Sequence, residues 1–433
     1  MAAVHLLRES ADKHDVHHSP MLPDSPSLAR SPTRFIARQP IFDRQEHLYA
    51  YELLFRSSFE NRYTATDGDA AARDVVDNFL NAGARTLTAG RRAFINCTRE
   101  FLVNEYAILL PRDEVVLEIL ESVEPDAEVV AACRRLKGMG CRIALDDFVF
   151  AEKWRPLLDL AEIIKVDFRI WTPADRQRVV AQFAPRGIRL VAEKVETWAE
   201  FAEAHRSGYD YFQGYFFCQP QIVPSHHIPA YKLHYLRILQ AISKPDLDRR
   251  EIVALIDREV SLCYKLLRFV NSALFGFRRE IGSTQRAVEL LGDRPFRKWA
   301  SIAAVLGMTG NEPNELVSTA LARGRCCELL AASLEASFVE QSLFLLGVFS
   351  LMDAMLGRSL PEIVAEIALP GMVRAALLGE SNRYREILDW VIAFEAGNWS
   401  AVSDLAQGLG QSEARISAAF VEAVDWAQKI FQV

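Results

Sequence analysis

Between Phe35 and about Pro224, short β-prone apolar runs alternate with segments of helical apolar spacing. The runs predicted as strands are 35–41, 49–56, 92–96, 115–120, 142–146, 163–166, 189–192 and 211–212. Helical spacing fills the gaps at 69–89, 98–110, 127–138, 154–160, 173–183 and 198–206, with Gly138 as a helix-ending residue. Strands recurring about every 25 residues, with helices between them, predict a parallel sheet closed as a (β/α)8 barrel. From Tyr231 onward the period-2 alternation disappears and almost every segment has helical spacing, which predicts an all-α second domain.

The predicted strands carry polar residues in or near their ends: Glu52, Asn96, Glu118, Asp146 with Asp147, Lys165, Glu193 and Gln213. A rim salt bridge or a helix cap explains any one of them. Gathered at successive strand ends, they describe the mouth of a TIM-like barrel, where such folds keep their chemistry. The adjacent Asp146 and Asp147 repel each other and need compensation by cations or solvent. Carboxylates with an asparagine suit Mg2+ or Mn2+, and two such ions could activate water and hold a phosphodiester in line. Lys165 would then orient water or offset phosphate charge, and Glu193 is the candidate general base.

Three regions follow from the pattern: a disordered tail over 1–33, a barrel over 34–224 and a helical domain over 225–433, with the proline-rich stretch 220–229 as the junction. The 433 residues suffice for two cores, and a formal net charge of -7 argues against a nucleic-acid binder driven by phosphate neutralisation. Seven irregularly spaced cysteines suggest reduced thiols. The strongest apolar run, 342–356, is too short for a bilayer and no signal-peptide pattern is visible, so a cytoplasmic location is expected.

The barrel region resembles the EAL-domain family, whose active members hydrolyse cyclic di-GMP to pGpG. Tyr51-Glu52-Leu53-Leu54-Phe55-Arg56 is similar to the EAL signature, with Leu in place of its Ala. Ile95-Asn96, Leu117-Glu118-Ile119-Leu120-Glu121 and Asp146-Asp147-Phe148 resemble further family motifs, as do Lys165-Val166-Asp167, Ala192-Glu193-Lys194-Val195-Glu196 and Gln213-Gly214-Tyr215. The resemblance implies Glu52, Asn96, Glu118, Asp146 and Asp147 as ligands of two Mg2+ or Mn2+ ions. It implies Glu193, Lys165 and Glu121 in catalysis, Glu121 as the support of the active-site loop. Arg56, Gln213, Asp167 and Glu196 would bind substrate. Two departures stand out: Val149-Phe150-Ala151-Glu152 where the family has Gly and a small flexible loop, and Lys194 where its A-E-G-V-E has Gly.

The second domain resembles HDOD, a helical relative of the HD phosphohydrolases, through Pro245-Asp246-Leu247, residues 261–267, Asn271-Ser272-Ala273 and 287–292. All nine histidines lie at or before His234, and the region where an HD His-Asp pair belongs reads Gly347-Val348-Phe349-Ser350-Leu351-Met352-Asp353. The expectation is therefore a non-catalytic regulatory domain that binds a protein partner. The leading reading is a two-metal cyclic di-GMP phosphodiesterase that dimerises through its barrel and binds neither nucleic-acid polymers nor membranes. The alternatives are a sensor that binds cyclic di-GMP without cleaving it and acts through HDOD contacts, and a scaffold that has lost nucleotide binding.

Overall fold

A computed structural model describes residues 35–56, 87–146, 152–219, 230–244, 246–271, 281–308, 315–331, 334, 340–367 and 369–431. The expected tail, most of the expected helix 69–89, the junction 220–229, Asp147 and the altered loop 147–151 lie outside the described residues, as does the Arg56 side chain.

Eight strands close into a barrel in sequence order. They are β1 (Phe35–Asp43), β2 (Leu48–Arg56), β3 (Arg92–Cys97), β4 (Val115–Ile119), β5 (Arg142–Leu145), β6 (Ile163–Asp167), β7 (Arg189–Glu193) and β8 (Tyr211–Gln213). β1 runs antiparallel to both β2 and β8, while every other pairing is parallel. The cause is the short link between β1 and β2, since only antiparallel neighbours can be joined by a tight turn. Asp43 fixes that turn by accepting from the backbone N–H groups of Gln45 and His47, each at 2.9 Å.

Side chains alternate between the two faces of each strand, so every second residue enters the barrel. One from each strand builds an apolar layer: Ile41, Ala50, Phe94, Val116, Ala144, Ile163, Val191 and Tyr211, none more than 5 % exposed. Outward residues such as Ile95, Leu117, Ile143, Ile164 and Leu190 are also fully buried. Both faces of the strands are therefore apolar, as in sheets covered by helices. Sequence-encoded caps start those helices: Asp126 caps Ala127–Gly138, Thr172 caps Pro173–Phe183, and Thr197 with Glu200 forms a capping box at Trp198–Ser207. Gly138 is still helical and the left-handed residue is Gly140, at φ 89°.

The chain forms two compact units. The barrel's unit includes Ile392–Ser417 as well as Pro32–Gln219, while the helical unit holds Pro220–Val391 and Ala418–Val433. Within the helical unit, Glu315–Ala331 and Glu340–Phe349 approach backbone to backbone at Gly324 and Gly347: a Cβ on Gly347 would lie 2.6 Å from Gly324 Cα. Beside this contact Lys298 donates to both carboxylate oxygens of Glu328 at 2.9 and 2.7 Å, and Arg325 bridges Glu328 and Glu422 at 2.8 Å each. Burial pushes the Glu328 carboxyl up, but Lys298 and Arg325 outweigh it and hold Glu328 below the ordinary range.

The glycine pair yields a first prediction. Gly347→Ala forces the two helices apart and is expected to destabilise the helical unit by roughly 1–3 kcal/mol. Denaturant unfolding of the full chain measures this, and an unchanged midpoint would refute the close approach.

Candidate metal centre

Two residues beyond the apolar layer, each strand presents its next inward position at the barrel mouth. On the parallel strands those positions are Glu52, Asn96, Glu118, Asp146, Lys165, Glu193 and Gln213. Because β1 runs the other way, its matching residue precedes the apolar one: Gln39, paired in register with Glu52. One barrel layer is thus wholly apolar and the next wholly polar. Asp146 stands just past β5, held in line by its N–H donating to the Ile119 carbonyl at 3.0 Å.

Lys165 occupies the middle of this layer and is itself 1 % exposed. Its ammonium lies 2.6 Å from Glu193, 3.1 Å from Glu52 and 3.3 Å from Asp146, and it also pairs with Glu118. Four carboxylates share one cation, so three negative charges would remain if all were ionised. Unit charges 4 Å apart interact by about 4 kcal/mol at an effective dielectric near 20, which makes that surplus costly. Burial, then the Glu52 charge, pushes the Glu118 carboxyl well up against the pull of Lys165. Burial pushes Glu193 up to about 8, with Lys165 opposing and Asp146 and Glu52 adding to the rise. Burial works against the Lys165 ammonium, but its carboxylate neighbours outweigh it and hold the group charged.

Protonation is one remedy for the surplus, and a divalent cation is the other. Asn96 Nδ2 donates to Glu52 at 3.3 Å, and Gln213 Nε2 donates to Glu52 at 2.7 Å and to Gln39 at 3.0 Å. These bonds leave Asn96 Oδ1, Gln213 Oε1 and Glu118 Oε2 buried without a hydrogen-bond partner. A buried polar atom left unsatisfied costs about 1–3 kcal/mol. Oxygen donors on Glu52, Glu118 and Glu193 all lie within 4.8 Å of one another, the one such group found among the described residues. An all-oxygen donor set with excess negative charge fits hard cations such as Mg2+ or Mn2+.

The other sequence-derived residues are spread along the rim. Asp167 lies two residues past Lys165 on β6, and its buried carboxylate accepts from Lys194 at 2.5 Å and from the Arg169 N–H at 2.7 Å. Lys194 takes a left-handed backbone at φ 55°, a conformation glycine adopts freely and lysine does not. Glu196 is exposed and pairs with Arg169. Glu121 is exposed in the turn after β4, and the loop it was expected to support lies outside the described residues. Gln39 is the member of the polar layer that the strand-end pattern does not reveal. Counting two positions back from Ile41 along an antiparallel strand would find it.

The elevated carboxyls fix the sign of a pH effect. The folded chain holds protons on Glu118 and Glu193 that the unfolded chain has released, so stability falls as pH rises through that interval. For Glu193 the interval runs from its ordinary 4.5 to about 8. Without metal, unfolding free energy is expected to drop from pH 5 to pH 8, and less steeply in Glu193→Gln. Added Mn2+ competes with those protons and is expected to raise the melting temperature more at pH 8 than at pH 5.5. Urea titrations and thermal melts with EDTA or Mn2+ check both, and an identical pH slope in Glu193→Gln would overturn the assignment.

Residues 35–220 match the EAL domain and residues 228–369 match the HDOD domain. The uncharacterised protein YuxH of Bacillus subtilis is 35% identical over 405 residues, spanning 92% of this chain and 98% of that protein. The cyclic di-GMP phosphodiesterase CdgJ of Vibrio cholerae is 32% identical over 402 residues, 92% of this chain and 93% of that protein. Among solved structures, BlrP1 of Klebsiella pneumoniae in a manganese and cyclic di-GMP complex is 23% identical with a TM-score of 0.35, covering 44% of this chain and 57% of that one. Two relatives above 30% identity align along nearly their whole length, through barrel and helical region alike, and so the chain belongs to the EAL-domain family, in the form that carries an HDOD domain after the barrel.

Proposed function

We propose that the barrel hydrolyses cyclic di-GMP to pGpG with two Mg2+ or Mn2+ ions. The observation that carries this reading is the buried polar layer, in which four carboxylates surround Lys165 and three oxygen atoms lack partners. Glu52, Asn96, Glu118 and Asp146 would hold the ions, with Asp147 as a further ligand. When bound, such ions supply charge neutralisation at the phosphodiester and a more acidic water. Glu193 receives the proton of the attacking water. Lys165 keeps Glu193 and the ligand carboxylates in place and offsets phosphate charge. Gln213, Arg56, Asp167 and Glu196 orient the nucleotide, and Glu121 steadies the loop beside it. The HDOD domain acts through a protein partner, and the barrel pairs with a second copy. Among the described residues no helix is long and apolar enough to cross a membrane, and the proposed location is the cytoplasm.

One observation favours a second reading, binding without turnover. Lys194, standing where the family motif has Gly, ties up the carboxylate of Asp167. A substrate group meant for Asp167 must displace that ammonium first.

Incubation of the full chain with cyclic di-GMP and Mg2+ or Mn2+, followed by detection of pGpG, decides between the readings. Glu193→Gln is expected to bind the nucleotide normally and lose roughly 10²-fold or more in turnover. Asp146→Asn is expected to lose metal affinity as well. Turnover intact in Glu193→Gln would sink the mechanism. A partly exposed ion pair is worth about 1 kcal/mol, so Lys194→Gly is expected to raise turnover roughly fivefold. No pGpG from either native chain or Lys194→Gly, with tight nucleotide binding in both, would establish the sensor.

A further inference from the structure

The helix Arg383–Glu395 ends at the barrel. Gly397 takes φ +65°, its N–H donates to the Phe394 carbonyl at 3.0 Å, and the Asn398 N–H donates to the Ala393 carbonyl at 2.9 Å. These are the paired bonds of a glycine-terminated helix, and they leave the Ala396 carbonyl over. That carbonyl, at the negative end of the helix dipole, accepts from Gln39 Nε2 at 3.0 Å. Gln39 Oε1 in turn accepts from Gln213 Nε2 at 3.0 Å, and the same Gln213 nitrogen donates to Glu52 Oε2 at 2.7 Å. Glu52 Oε2 is also the oxygen that faces Lys165, at 3.1 Å. The approach is close: a Cβ on Gly397 would lie 2.6 Å from Leu54 Cδ1, two residues after Glu52 on β2.

We propose that this helix end is a positioning element for Glu52, acting through Gln39 and Gln213. A carboxamide has a donor end and an acceptor end, so fixing one end decides what the other offers. The Ala396 carbonyl can only accept, and it therefore holds the Gln39 NH2 and turns the Gln39 oxygen toward Gln213. Gln213 answers with its NH2, which also reaches Glu52, and keeps its own oxygen unpartnered among the ligand atoms. Without the carbonyl, Gln39 is free to flip, and a flipped Gln39 would set its own NH2 against that of Gln213, leaving Glu52 as the one partner of the Gln213 nitrogen. The Arg383–Glu395 helix belongs to the helical unit up to Val391 and to the barrel's unit from Ile392. Glu52 as a metal ligand rests on the function proposed above, whereas the amide orientation does not.

The test uses the full chain and two readouts. In the metal-free protein, the side-chain NH2 signals of Gln213 are followed by NMR in Gly397→Ala and in Gly397→Asn, since Asn tolerates positive φ but still carries a Cβ. Mn2+ alone is then titrated by calorimetry into the native chain, both Gly397 variants and Gln39→Met. The Gln213 signals are expected to move in the Gly397 variants, and Mn2+ affinity to fall roughly tenfold in all three, as for outer residues that orient metal ligands. Unmoved Gln213 signals in a folded Gly397 variant would overturn the positioning role. Native affinity in Gln39→Met would overturn the amide chain as its route. A native chain that binds no Mn2+ would refute the metal reading, and the NMR result would still decide the positioning.

Discussion

Everything at the barrel mouth depends on one buried ammonium. Lys165 enters the layer in which Glu52, Glu118, Asp146 and Glu193 converge, and its charge lets four acids occupy a space that water hardly reaches. Removing one partner of a buried pair leaves an uncompensated charge, which is far more damaging than losing a surface pair. The single cation is still too little for four carboxylates. That imbalance keeps two of the acids reluctant to ionise and gives the site its appetite for further positive charge.

Strand alternation delivers this arrangement cheaply. The apolar layer beneath the mouth is a packed core made from one residue per strand, and each strand needs only one polar residue two steps further on. Because the layers are set by the period of the strand, slipping one strand by a residue would drive charges outward and greasy side chains into the centre. The register that packs the barrel and the register that builds the site are therefore one constraint.

This explains what could be read from the chain and what could not. Glu193 and Gln213 were legible as the polar last residues of β-prone runs, and Glu52, Asn96, Glu118 and Lys165 as lone polar residues within such runs. Gln39 was not, because β1 reverses the order and its polar residue comes before the apolar one. The assignment of Ile392–Ser417 to the barrel's unit was equally hidden, since helical periodicity reports a buried face and not the body that covers it. Lys194 was visible as a departure from a motif. Its left-handed backbone and its grip on Asp167 are properties of the folded turn.

The antiparallel strand has a consequence for how the barrel comes together. β1 and β2 share eight register pairs and a short turn, a local contact that forms at small entropic cost. β1 and β8 share only three register pairs, between residues about 170 positions apart in the chain. The barrel thus has a long local hairpin on one side of β1 and a short seam between distant residues on the other. The Gln39–Gln213 bond crosses that seam. The two ends of the sheet are thus joined by the same amides that reach Glu52, so closure of the barrel and completion of its polar layer meet in one hydrogen bond.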